Sequence, residues 1–537
     1  MPEKNRVYRA RIEGYTSEGL GVARIDGQAV LVHRALRGED CDVLILKVLK
    51  NAAFGKAVRV YEPSPHRVEP DCPYYGRCGG CDFRHMDRTE ELAAKRQRVQ
   101  DALRRIGGSA VTVEGIDGGA PLHYRNKSQY PVAADGSVGF YKARSHQVVP
   151  VTQCLIQKPQ ADAAAQALRT YIASCGVSCY DEKTRRGLVR HLYIRTNGAG
   201  QSLICVVANG KKLPGEEELV RLLRQAAPET VGVVLGVNTQ PTGAVLGTEY
   251  RTLWGADVLT DTLCGLTFRL SVPSFYQVNR EMAERLYARA VEFAGLTGTE
   301  TVLDLYCGAG TITQVMARHA GRVIGAEIVP EAIEDAKANA KRNNVENVEF
   351  FCGDASAVAA DLAARGLRPD VICVDPPRKG LAPEVVRAAA QMAPRRIVYV
   401  SCDPATLARD VKLFGQEGYE AVRAAAVDMF PGTANVETIC LLSKLNAKQH
   451  IEINLDMDEL DLTDAEKKAT YQEIKDYVLE HSGLKVSSLY IAQVKQKCGI
   501  IERENYNKPK SEDAKQPQCP PDKEKAIKEA LTHFGMI

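Results

Sequence analysis

TVLDLYCGAG, residues 301–310, is a short run of strand-forming residues that breaks into a glycine-rich turn, and the segments after it repeat that grammar. RVIGAEIV (322–329), VEFFCGDA (348–355), PDVICVDPPRKG (369–380) and RRIVYVSCDP (395–404) are apolar strands ending in polar residues or glycine, separated by alanine-rich helical segments. That alternation predicts a parallel sheet covered on both faces. Ligands in such sheets collect at the carboxyl ends of the strands, where all these polar runs fall.

Upstream the grammar differs. VYRARIEGY, GLGVARI, QAVLVH, CDVLILKVL and GKAVRVY, within residues 5–62, read as five short strands and predict a small barrel of the oligonucleotide-binding type. Arg6, Arg9, Arg11, Lys47, Lys50, Lys56 and Arg59 interleave there with Tyr8, Tyr15 and Phe54, which suits phosphate contacts beside base stacking. Residues 63–270 follow as an α+β region that opens on a proline-rich linker, a cysteine cluster and a helix ending at Gly107 and Gly108. The sheet-forming domain is assigned to 271–445. Residues 446–537 form a helical extension, with a capping-box spacing at Thr463 and Glu466 and a second helix at LYIAQVKQKCG.

The chain of 537 residues carries a net charge of +3. Residues 1–130 hold 22 Lys/Arg against 17 Asp/Glu, an excess that permits a nucleic-acid partner without demanding one. No run reaches the ~18 apolar residues of a membrane span, and MPEKNRVYRA is charged where a secretory peptide is apolar. A cytoplasmic protein with no membrane partner is expected, and its clustered cysteines read as metal or catalytic groups rather than disulfides.

In LDLYCGAGTI, Gly308 and Gly310 let the backbone pass close to a ligand, while Thr313 occupies the place of the third glycine of the dinucleotide fingerprint. The next strand ends in Glu327, 17 residues after Gly310, where a carboxylate can accept hydrogen bonds from both ribose hydroxyls. Asp354, one strand later, is placed to meet an adenine amino group. A nucleoside cofactor without a diphosphate fits better than NAD, and S-adenosylmethionine is the leading candidate, against another nucleotide or a structural Glu.

Asp375 and Cys402 stand at two further strand tips. A methyltransferase acting on an exocyclic amine needs no thiol, because the amine is itself the nucleophile. Carbon 5 of a pyrimidine becomes nucleophilic only when a thiolate adds to carbon 6, and Cys402 answers that need. Release of the thiol then requires a base for the carbon-5 proton, and Glu437, in TANVETICLL, is the candidate. Read singly, Cys402 is as well explained as a small buried apolar residue and Glu437 as a surface charge.

SFYQVN, DLYCGAG, DPPRKG, SCDP and NVET, in that order, closely resemble the uracil-5-methyltransferases acting on ribosomal and transfer RNA. The chain is most similar to the branch modifying 23S ribosomal RNA, with an N-terminal barrel of the TRAM kind and a Rossmann-like methyltransferase domain. The resemblance covers roughly residues 1–445. It implies that Cys402 is the nucleophile, that Glu437 is the base, and that Gln277, Tyr306, Glu327 and Asp375 contact the cofactor, with Asp354 beside them. Relatives often carry histidines just before the base, where this chain has Gly432 and Asn435, so proton removal is expected to be assisted differently.

Cys72, Cys78 and Cys81, with Cys154 from a distance, supply four thiolates that suit zinc or an iron–sulfur cluster equally well. The resemblance favours a 4Fe-4S cluster in a structural or RNA-supporting role. The expected activity is 5-methyluridine formation in 23S ribosomal RNA by a monomeric enzyme. The same chemistry on the transfer-RNA T-loop comes second, since those relatives usually lack barrel and cluster. A non-catalytic RNA-binding protein comes third. The extension at 446–537 resembles a tail found on some related enzymes of anaerobic Gram-positive bacteria and receives no function.

Overall fold

In the computed structural model, which describes residues 1–445, 471–498, 519–534 and 536, the strands after residue 300 lie in one eight-stranded sheet. Its order is Val348–Cys352, Arg322–Glu327, Thr301–Leu305, Val371–Val374, Arg396–Ser401, Glu437–Lys444, Tyr419–Val427 and Val113–Asp117. The first five strands are parallel, and Glu437–Lys444 runs antiparallel to both its neighbours. The order reverses between Thr301–Leu305 and Val371–Val374, the point at which open α/β sheets bind ligands.

These strands read as continuous apolar runs because successive side chains feed two cores. Leu303, Leu305, Ile372, Val374, Ile397 and Tyr399 lie in one, while Val302, Val323, Val371, Cys373, Val398 and Val400 lie in the other. Helix Arg88–Arg105, capped by the Asp87 carboxylate on the Glu90 amide, buries Val99, Ala102 and Leu103 in the first core with Leu407, Ala408 and Val411 of helix Pro404–Gln416. Strand Val113–Asp117 pairs in parallel with Tyr419–Val427. The segment 88–117, expected in the central region, thus belongs to the eight-stranded sheet and the core packed on it. Its apolar face finds a partner some 300 residues along the chain, which no local pattern shows.

The N-terminal strands close into a five-stranded barrel. The first strand bends, so that Val7–Arg11 pairs with Asp40–Val48 while Gly14–Tyr15 pairs with Gly21–Ile25, and Gln28–His33 with Ala52–Glu62 completes the ring. All seven basic residues named above are exposed, whereas Tyr15 is half-buried, its hydroxyl donating to Glu90 at 2.8 Å and accepting from the Arg37 amide at 3.0 Å. Tyr61 is exposed, with the Arg9 and Arg59 guanidiniums 4.4 and 4.6 Å from its ring centre.

The central region holds a five-stranded sheet, ordered Glu249–Gly255, Thr230–Val237, Ser202–Ala208, Val189–Thr196, Lys127–Pro131, with helices Pro159–Ser174 and Glu216–Ala226 contributing to its core. The chain divides into two compact units, Met1–Asn446 and Ala447–Ile537. In the second, helices Tyr471–Ser482, Ser488–Lys497 and Pro521–His533 bury Ile474, Val478, Ile491, Ile527 and Leu531 together. The Thr463–Glu466 capping box lies outside the described residues. Among the described residues no helix is long and apolar enough to cross a membrane.

Candidate active site

The strand Thr301–Leu305 ends at Tyr306, which adopts φ 71°, a left-handed conformation that is unfavourable for a bulky residue. Such strain costs on the order of 1–3 kcal/mol and persists only where the surroundings impose it. Here the amides of Tyr306 and Cys307 both donate to the Ala326 carbonyl, at 2.9 and 3.0 Å. Gly310 follows at φ 74°, and a Cβ there would stand 3.0 Å from that of Ala336 and 3.2 Å from the Phe350 ring, so any other residue is strained and crowded. Thr313, where the dinucleotide fingerprint has glycine, is buried and donates to Asp304 at 2.5 Å. Asp304 is fully buried, and that burial pushes its carboxyl up to about 8.

Glu327, at the tip of the neighbouring strand, is pinned by three main-chain amides. Its carboxylate accepts from Ile328 at 2.9 Å, from Val329 at 3.0 Å and from Gly308 at 3.2 Å. Ile328 and Val329 are 61% and 45% exposed, an apolar rim beside a fixed acid that suits a base stacked above a ribose, and the sequence pattern did not single them out. Asp354 is exposed, and its Oδ1 is taken up by the Ser356 hydroxyl and the Ser356 and Ala357 amides as the cap of helix Ala355–Ala364. Gln277 is buried in the loop before helix Arg280–Ala294, with its carbonyl accepting from Asn126 Nδ2 at 2.9 Å.

The thiol and the acid meet through strand register. Ser401 pairs with Thr438 across antiparallel strands, so Cys402 comes opposite Glu437, one step beyond the last pair of these two strands. Asp403 caps helix Pro404–Gln416 by accepting from the Ala405 and Thr406 amides at 2.8 and 3.2 Å, which accounts for the acid and proline beside the thiol. Cys402 is half-buried, and desolvation, then the charges of Glu437 and Asp375, push its thiol up to about 11 against the pull of Arg378. Glu437 is 3% exposed, and burial, then Asp375, push it up to about 8, again opposed by Arg378. Desolvation pushes Asp375 itself up to about 7. One thiol, two raised carboxyls and a guanidinium therefore share one electrostatic environment at the strand tips.

Asp410, fully buried and unremarked in the sequence, fixes the loop after Asp375. It accepts from the Leu381 amide at 2.8 Å, the Tyr399 hydroxyl at 2.6 Å and Arg409 Nε at 2.8 Å, tying that loop to the helix that starts beside Cys402.

The four cysteines converge. Cys72, Cys78, Cys81 and Cys154 line one cavity of about 240 Å³, together with Arg84, Arg125 and Lys127. All four are free thiols, and burial foremost pushes Cys81 up to about 12 and Cys154 to about 11. Burial, then Arg195 and Arg125, push Lys127 down to about 8. Four thiol donors facing three cations suit an anionic thiolate-bound metal group. Among the described residues no three His, Cys, Asp or Glu side chains stand in ligating geometry as placed.

Residues 87–445 match the family described as tRNA (Uracil-5-)-methyltransferase, and residues 3–58 match the TRAM domain. An uncharacterized RNA methyltransferase of Clostridium tetani is 43% identical over 452 residues, covering 83% of this chain and 98% of its own. A second, from Halalkalibacterium halodurans, is 42% identical over 82% of this chain and 98% of its own. Among solved structures, the Pyrococcus abyssi tRNA (uracil-54, C5)-methyltransferase in complex with S-adenosyl-L-homocysteine superposes with a TM-score of 0.66 at 25% identity, over 81% of this chain and all of that one.

Proposed function

The chain belongs to the RNA uracil-5-methyltransferase family, and on that premise we propose that it converts a uridine of 23S ribosomal RNA to 5-methyluridine, with S-adenosylmethionine as methyl donor. The observation that carries this reading is the register that sets Cys402 opposite Glu437 beside the strand-reversal crevice. Tyr306, Glu327, Asp375 and Gln277 are the residues assigned to hold the donor, with Asp354 at its outer edge. Bound there, the donor supplies an electrophilic methyl group.

Cys402 Sγ adds to carbon 6 of the uracil, and the electrons of the 5,6 double bond move toward carbon 5, which thereby gains the nucleophilicity for methylation. Glu437 then takes the carbon-5 proton, the double bond re-forms and the carbon–sulfur bond breaks, returning the thiolate. Burial gives Glu437 a proton affinity matched to that task near neutral pH. The target base has to leave its stack, at a cost of about a few kcal/mol. The TRAM barrel, with its Arg9–Tyr61–Arg59 stack, is assigned to RNA contact. The four-thiol cavity is assigned a structural 4Fe-4S cluster.

The second reading is a transfer-RNA T-loop uridine, favoured by the likeness to the Pyrococcus enzyme along that enzyme's whole length. RNA containing 5-fluorouridine tests the chemistry, since fluorine at carbon 5 cannot leave as a proton and the adduct is trapped. Linkage to the Cys402 peptide is expected, and its absence refutes the reading. Mapping 5-methyluridine in ribosomal and transfer RNA of a strain lacking the gene separates the two substrates.

A further inference from the structure

The loop that delivers Glu437 into the site is held almost entirely by its main chain. Asn279 Nδ2 donates to the Met429 carbonyl at 3.2 Å, Lys95 Nζ to that of Phe430 at 3.1 Å, and the Tyr124 hydroxyl to that of Pro431 at 3.0 Å. The Gly432 amide donates to Glu91 Oε1 at 2.6 Å, while the Gly432 carbonyl accepts from the Asp82 and Phe83 amides at 2.8 and 3.0 Å. The Ala434 peptide is gripped at both ends. Its amide donates to Asp82 Oδ2 at 2.9 Å, and its carbonyl accepts from Arg98 Nη1 at 2.6 Å.

Asp82 is therefore the one residue of the cysteine segment that binds this loop twice, by its amide and by its carboxylate. It directly follows Cys81, whose sulfur lies 3.8 Å from where a Cβ on Gly432 would stand. Gly432 has φ 80°, so the loop turns at the point where the cysteine segment packs on it. Only Asn435 and Val436 lie between Ala434 and Glu437, too few to absorb a displacement of the clamp.

We propose that Asp82 is a positioning residue for proton removal: with Arg98 it clasps the Ala434 peptide and so fixes where the Glu437 carboxylate meets carbon 5, linking the four-cysteine cavity to the elimination step. This rests on the assignment of Glu437 as base. In this chain the loop carries Gly432 and Asn435, and its order comes from clasps on its backbone.

The test compares Asp82→Ala, Asp82→Asn, Arg98→Ala and Glu437→Gln with the parent enzyme on unmodified RNA with S-adenosylmethionine. It reads denaturant-stable RNA–protein adduct, kcat, KM for RNA and iron content. Asp82 is exposed, so its truncation leaves no core cavity. Asp82→Ala and Arg98→Ala are expected to lower kcat about 10-fold with KM within about 2-fold and to accumulate adduct, a loss the size of roughly 1.4 kcal/mol. Asp82→Asn keeps an oxygen acceptor for the Ala434 amide and is expected to turn over without adduct. If Glu437→Gln accumulates adduct while both alanine variants show none, at normal or reduced kcat, the positioning role is overturned and the base assignment stands. If Glu437→Gln itself gives no adduct, the base assignment fails first.

Discussion

Raising the pH from 7 to 9 should speed breakdown of the covalent RNA adduct about 10-fold. Glu437 has its proton affinity pushed up to about 8 by burial, with Asp375 adding to the shift and Arg378 opposing it. A carboxyl of that affinity is about one-tenth ionised at pH 7, one-half at pH 8 and nine-tenths at pH 9, and only the ionised form can take the carbon-5 proton. The rate constant should then level off. Adduct formation depends instead on the Cys402 thiolate, whose thiol is pushed up to about 11, so that limb keeps rising across the same window. Rapid-quench experiments that follow adduct and 5-methyluridine separately distinguish the two limbs. Replacing Arg378 with Gln removes the one charge that favours the ionised forms of both groups, so both inflections should move to higher pH. A breakdown rate that is flat from pH 6 to 9, or one that inflects near the ordinary carboxylate value of 4.5, refutes the assignment of Glu437 as a buried base.

Cys402→Ala should lower methyl transfer on the order of 10³- to 10⁶-fold while RNA affinity, measured by filter binding, stays within about 3-fold; undiminished 5-methyluridine formation removes the nucleophile role. Anaerobically purified protein should contain about four iron and four labile sulfide per chain, with Cys81→Ser losing both, and zinc without sulfide would falsify the cluster assignment. Glu437→Gln should stabilise the fold at high pH. The folded-state proton affinity of Glu437 lies above the 4.5 of the unfolded chain, so its burial subtracts stability progressively as pH rises through 4.5 to 8 and by a constant amount beyond, at most about 5 kcal/mol. Urea midpoints of the variant and parent should coincide near pH 4, draw apart between about pH 5 and 8 with the variant higher, and keep a constant separation beyond; equal midpoints at pH 8.5 reject the buried-charge account.

The parts of this molecule that could be read from sequence are those whose physics is local or strictly periodic. The strands Thr301–Leu305, Arg322–Glu327, Val371–Val374 and Arg396–Ser401 were visible because they are buried on both faces, and such burial writes an unbroken apolar run that ends where the ligand crevice begins. Glycine at 310 was visible because a left-handed backbone and close packing on Ala336 and Phe350 both favour a residue without a side chain. Cys402 and Glu437 are different. They are 35 positions apart, and nothing in either segment says that they face each other until the pairing of Ser401 with Thr438 fixes the register. A shift of one residue would turn Glu437 to the other face of the sheet, so register, rather than residue type, separates a base from a surface charge. The misreadings share that cause. Tyr15 carries an aromatic ring, but it is half-buried and tied to Glu90, 75 residues away, while Tyr61 is exposed beside Arg59 of its own strand and Arg9 of the first. Asp410 and Asp82 gave no signal because they act on main-chain amides, 29 and 352 residues distant, that look the same in any sequence. An acid that orders a loop through its backbone leaves no motif at the other end of the bond. The groups that order this site are therefore expected to be found by asking what holds each main-chain atom near Cys402 and Glu437, since a bond to a main-chain atom leaves no residue-type pattern.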